Sequence, residues 1–200
     1  MTPSKTAPQL SRPVAIALLL FAVIGLGASF LLLKSELELL ADPAANLGCD
    51  INPLIACSDS LMTPQAHLLG VPNSMIGMMA FSALVALAVT LAAGVRLPRW
   101  IWGGLGVGTL VAMVYVLYFL LQSLLTFRAL CPYCMIVWAA TIGIFTIVWA
   151  ALFAGGMFGS RGVALGRSVL RFWPLVVLAM YLLVVLAIVL SLPDKIGYLL

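Results

Sequence analysis

Ala129-Leu130-Cys131-Pro132-Tyr133-Cys134-Met135-Ile136-Val137-Trp138 opens an apolar run that continues without a charged residue to position 160. Proline is tolerated in the first turn of a helix, where its missing N–H has no partner to lose. The spacing therefore predicts a helix that starts here, with Cys131 as its cap and Cys134 as its third residue. The run is long enough to cross about 30 Å of hydrocarbon, which takes roughly 20 residues. Four further uncharged windows do the same, at 14–33, 74–93, 100–127 and 172–193, with this one spanning 129–160.

Across the 200 residues, 64% are hydrophobic and only 8% are charged, more apolar surface than a water-soluble domain of this size can hide. Lipid must be the solvent, and backbone in lipid must satisfy its own hydrogen bonds, so the windows are helices. The expected fold is an all-α membrane protein, a four-helix transmembrane bundle with a fifth transmembrane helix over 172–193, in a single membrane domain over 1–200. The first window follows Lys5 and Arg12, as a signal peptide would. Its 20 uncharged residues exceed an h-region of about 7–15, so a retained helix is expected.

Five crossings put the termini on opposite sides. Lys5, Arg12, Arg96, Arg99, Arg161, Arg167 and Arg171 then share the N-terminal side, against Lys34, Arg128 and Lys195 on the other. The N-terminal side is expected to be cytoplasmic, with residues 1–12 as a polar tail. The net charge of +4 is thus a matter of topology, not of nucleic-acid binding.

The outer loop, 34–73, holds the other two of the four cysteines, Cys49 and Cys57. Residues 34–41 are expected to carry the first helix past the membrane surface, and Asp42-Pro43 to end it, because the residue before a proline is pushed out of the helical region. Gly48, Asn52 and Pro53 argue for irregular backbone around the cysteines, suited to a mobile loop. Residues 63–70 predict a short helix with Thr63 as cap and Gly70 at the exit, its Leu68 and Leu69 resting on the membrane or a pocket mouth. Asn73 or Ser74 is the expected cap of the next crossing. A tight turn over 94–99 follows, and a basic, glycine-rich connection over 155–171 precedes the fifth crossing.

All four thiols fall at the outer face, where disulfides persist. Four cysteines allow three pairings, and a chain that switches pairings uses more than one. Cys131 and Cys134 share a helix face, so a disulfide between them is feasible. A helix N-terminus favours thiolates, which makes for better nucleophiles and leaving groups. The helical rise sets Cys134 about 4.5 Å deeper than Cys131, so the outer sulfur can meet a protein thiol while the deeper one faces a lipid-soluble oxidant. Two rival readings compete with this one. Zinc would need four ligands from Cys131, Cys134, Cys49, Cys57 and His67; static structural disulfides would gain little by stapling a helix start; His67 alone reads as a surface residue.

Cys49-x7-Cys57 in the first outer loop, followed by Cys131-x-x-Cys134 at the head of a later helix, resembles the vitamin K epoxide reductase family. The likeness extends to Gly48-Cys49-Asp50 and to Asn73-Ser74-Met75-Ile76-Gly77. It covers the first through fourth crossings. The resemblance implies a four-helix bundle around a quinone, ubiquinone or menaquinone, with no metal. It implies that Cys49 exchanges with a thioredoxin-fold partner on the outer face of the plasma membrane, that Cys57 attacks Cys131, and that Cys134 reduces the quinone. Asn73 would donate a hydrogen bond to a quinone oxygen and Trp138 would stack on the ring. The family's hydroxyl-x-Trp after the second loop cysteine is Thr63-x-Gln65 here, so the lid is expected to differ. Lys195–200 is where some relatives attach a thioredoxin-like domain, and a separate soluble partner is expected instead. A DsbB-type quinone reductase would have the Cys-x-x-Cys before the spaced pair, the reverse of the order here.

Overall fold

The computed structural model describes residues 8–45, 47–52, 54–61, 63–67 and 70–194. Five helices in it are long and apolar enough to span a membrane: α1 (Arg12–Ala41), α3 (Asn73–Ala92), α4 (Arg99–Gln122), α5 (Pro132–Ala154) and α7 (Trp173–Ser191). A short helix α2 (Ser58–Leu61) lies in the loop between α1 and α3, and α6 (Val163–Arg171) lies between α5 and α7. The protein is a multi-pass helical membrane protein. The placement of Lys5, Leu68, Leu69 and Lys195 lies outside the described residues.

Three of the spans pack by removing side chains. A Cβ on Gly25 of α1 would run into the Phe81 ring of α3, and one on Gly77 of α3 would come within 2.8 Å of Ser29 Oγ of α1. On α5, a Cβ at Gly143 would sit 2.6 Å from the Phe21 ring. Lipid gives helices no hydrophobic reason to associate, so close approach at small residues supplies the van der Waals contact that holds α1, α3 and α5 together. Trp102, Leu18, Ile147 and Leu152 are fully buried in the same inner core. By contrast α7 buries only Val177 along its length and otherwise faces outward, touching α5 through Tyr181, whose hydroxyl donates to Ala139 O at 2.8 Å.

Several local expectations change. The first helix does run on to Ala41 and stops at Asp42, whose backbone turns extended. Asn73 and Ser74 do not cap α3; Pro72 precedes it, and their side chains turn instead to Gln65 in the loop and to Glu36 on α1. Thr63 donates to Ser60 O at 2.8 Å rather than capping, and among the described residues a 3-10 turn, Pro64–His67, forms behind it. Gly70 leaves that turn at φ +75°, a conformation that favours glycine. The connection after α5 is not merely a loop. Its second half is α6, which reaches α5 because Gly166 sits where any Cβ would strike the backbone of Ala150 and Ala154.

Candidate functional site

At the end of the bundle that carries the cysteine loop, α4 winds into a π-helical turn, Ser123–Phe127, and Arg128 takes a left-handed conformation at φ 51°. The chain thereby reverses into Ala129–Cys131 and enters α5. The segment before α5 pairs with the cysteine loop: Leu130 N donates to Leu54 O at 2.7 Å and Ala56 N to Leu130 O at 3.1 Å, a parallel bridge between Ile55 and Leu130. Arg128 also holds the far end of α7 through Asp194, with both carboxylate oxygens within 2.7 Å.

Two side chains shape the loop around this bridge. Asn52 Oδ1 accepts from Leu54 N and Ile55 N at 2.9 and 2.8 Å. Asp50 Oδ1 accepts from Cys57 N at 2.6 Å and Ser58 N at 3.1 Å. The loop expected to be free is thus hydrogen-bonded in place next to Cys57. The physical reason is that Asx side chains offer irregular backbone the acceptors that a helix or sheet would otherwise supply.

The consequence is a convergence of sulfur. Cys49 and Cys57 form a disulfide, S–S 2.06 Å, while Cys131 and Cys134 are free thiols. Cys131 Sγ lies 3.2 Å from Cys57 Sγ, although the two residues are 74 apart in the chain. Cys57 and Cys131 are buried, and Cys49 is only 3% exposed beneath Leu32, Leu39, Leu47 and Leu61. Cys131 precedes the first turn of α5 as expected, with Pro132 at its first position. The Cys134 thiol donates to it, and the backbone N–H groups of Cys134 and Tyr133 point at it; together these hold the Cys131 thiol below the ordinary cysteine value against the opposing effect of burial. Of the residues weighed as zinc ligands, the Cys49 and Cys57 sulfurs are joined to each other and His67 lies against Glu36.

Below the sulfurs, Cys134 is half-buried in an apolar cluster with Trp138, Tyr115, Phe119, Leu120 and Leu124. Trp138 is 4% exposed and packs between α4, α5 and the end of α7. Asn73 donates its amide to Gln65 O at 2.6 Å. Tyr115 of α4 interacts with the Asn73 side chain and with Cys134, so Asn73, Tyr115, Cys134 and Trp138 border one region. Sequence reading missed Asp50 as the anchor of Cys57. It also missed Glu36, a buried carboxylate that accepts from Ser74 Oγ at 2.7 Å and lies 2.8 Å from His67 Nε2. The one signal for the first was Asp50 standing beside Cys49; the second gave none, because Glu36 sits in a run shared with Lys34 and Glu38.

A helical membrane bundle that brings a buried disulfide against a dithiol at a helix start is a thiol–disulfide oxidoreductase of the membrane. The model of the vitamin K epoxide reductase family matches residues 16–149, which include both cysteine pairs, all of α3 and α4 and most of α1 and α5. The protein belongs to that family. No curated protein matches the sequence.

Proposed function

We propose that the protein oxidises thiols in the extracytoplasmic space and passes their electrons to a quinone, ubiquinone or menaquinone, in the lipid. The donor is a separate thioredoxin-fold protein, and the N-terminus is cytoplasmic, as the uneven distribution of Lys and Arg supports. The observation that carries this reading is the 3.2 Å approach of Cys131 Sγ to Cys57 Sγ, which makes exchange between the two pairs possible without rearranging the helices.

The partner's two thiols reduce the Cys49–Cys57 disulfide, leaving an oxidised partner and two loop thiols. With Cys131–Cys134 oxidised, the Cys57 thiolate attacks Cys131, forming a Cys57–Cys131 bond and releasing Cys134. Cys49 then attacks Cys57, reforming the loop disulfide and releasing Cys131. The electron pair now sits on Cys131 and Cys134, the state the structure displays. Cys49 meets the partner only when its leucine cover moves aside, so docking and loop opening go together. A bound quinone supplies the sink for two electrons and two protons. The residues present suit it: Asn73 and Tyr115 offer polar groups beside Cys134, in surroundings that are otherwise apolar, and Trp138 gives an aromatic wall. Hydrogen-bond donors there would stabilise the negative charge that develops on reduction.

The test uses purified protein in lipid with a reduced thioredoxin-fold protein and an added quinone. Quinol formation matched by partner disulfide is expected, and Cys57→Ser should trap a Cys49–partner mixed disulfide. Failure of the intact protein to oxidise any dithiol with quinone present would end the reading.

A further inference from the structure

Glu36 is out of place for a residue that only ends a helix. Its neighbour Glu38 is about half exposed and pairs with Lys34 at 3.6 Å, whereas Glu36 is 3% exposed. Taking a carboxylate out of water is costly unless partners replace the lost hydration, so its burial needs a reason beyond packing. Oε2 accepts from Ser74 Oγ at 2.7 Å. Oε1 lies 2.8 Å from His67 Nε2, close enough for an ion pair but without hydrogen-bond geometry. The two residues line a cavity of about 170 Å³ together with Leu39, Leu40 and Leu61. The His67 side chain is 37% exposed, so one end of this pair meets outer water. The other end reaches Ser74, the residue after Asn73, whose side chain interacts with Tyr115; Glu36 acts on Tyr115 electrostatically, more weakly than Cys134 and Asn73 do.

We infer that His67 and Glu36 are a proton inlet leading from the outer aqueous face to the region bordered by Asn73, Tyr115 and Cys134. The inference rests on the proposed quinone-linked activity. Its chemical need follows from balance. When a dithiol reduces a quinone, two S–H bonds are lost, one S–S bond forms, and the quinone gains two electrons and two protons to become a quinol. A sulfur that reacts as a thiolate has already released its proton to water. One of the quinol's protons must then come from elsewhere, and a carboxylate coupled to a partly exposed imidazole can hand it inward.

Among the described residues, the groups in contact with Glu36 are His67 from the 3-10 turn and the Ser74 hydroxyl from α3, with Tyr115 of α4 within electrostatic reach; on its own helix Lys34 and Glu38 turn to the surface.

The test separates the two half-reactions in the full-length protein in lipid vesicles. Thiol trapping without quinone follows electrons from an added dithiol to Cys131 and Cys134. Quinol absorbance after pre-reduction follows the second half. Glu36→Gln should leave the first within about twofold and slow the second on the order of a hundredfold, within the range for a lost proton-transfer group. Exchange into D2O should then slow the variant more than the unaltered protein. His67→Ala should show a smaller loss, on the order of tenfold, restored by added imidazole. Equal loss in both half-reactions, or a normal quinol rate in Glu36→Gln, overturns the inlet. If Glu36→Gln does not fold, His67→Ala decides: no loss, or a loss that imidazole does not restore, refutes it. Should the unaltered protein form no quinol, the proposed activity itself fails, a distinguishable result.

Discussion

Replacing Asp50 should uncouple the loop cysteines from Cys131 while leaving the bundle intact. Its carboxylate takes the backbone N–H groups of Cys57 and Ser58 at 2.6 and 3.1 Å, and both bonds are partly buried. A hydrogen bond to a charged group contributes about 1.5–3 kcal/mol, and solvent reduces that at a half-exposed site. Taking about 1–1.5 kcal/mol for each, Asp50→Ala frees the Cys57 end of the loop by about 2–3 kcal/mol, which is roughly 30- to 150-fold in an equilibrium constant. The bridge from Ile55 to Leu130 remains, so the loop stays near α5 without holding Cys57 in register. The assay places Cys49→Ser and Cys134→Ser in one chain, leaving Cys57 and Cys131 to form the only bond. Titration with a thiol redox buffer then gives their effective concentration, which should fall by that factor on adding Asp50→Ala. Asp50→Asn keeps a neutral acceptor and should lose less. An effective concentration unchanged within about twofold would show that the loop's own packing, and not Asp50, positions Cys57.

The Cys131 thiol sits below the ordinary value, about 8.5 for a free cysteine, chiefly because Cys134 donates to it. A lowered value means the thiolate survives as pH falls and is protonated only below the folded value, so thiolate absorbance in the loop-oxidised protein should persist under the ordinary midpoint. Cys134→Ala removes the donor and should move the midpoint upward; an unchanged midpoint would refute the hydrogen bond as the cause. Gly25→Ala should push a methyl into the Phe81 ring and cost about 1–3 kcal/mol, as overpacking does. Thermal unfolding in detergent checks this, and adding Phe81→Ala should return part of the loss; equal melting of Gly25→Ala and the unaltered protein would count against close α1–α3 packing.

The five spans, the end of α1 at Asp42 and the start of α5 at Pro132 could all be read along the chain, because hydropathy and helix termination are set by neighbours in sequence. So could the two cysteine pairs. Contacts between distant segments could not. Asn73 and Ser74 read as caps because cap propensity is a local rule, yet α3 is placed where Gln65 and Glu36 compete for those same side chains and win. α6 was hidden in a basic, glycine-rich stretch, since Gly166 is there to let two backbones approach and that need is invisible before α5 is in place.

By itself the sequence determined that the chain lives in lipid, that it carries five helices long and apolar enough to cross and that its sulfurs can all lie at one end, since charge placement and apolar run length answer to the bilayer alone. Only the tertiary structure decided which sulfur faces which. Cys57 and Cys131 are 74 residues apart, and their 3.2 Å approach depends on Asp50, the Ile55–Leu130 bridge and the reversal at Arg128 acting together. The same holds for Glu36 and His67, where helix packing, and nothing in the composition, put a carboxylate out of water beside an imidazole that still touches it.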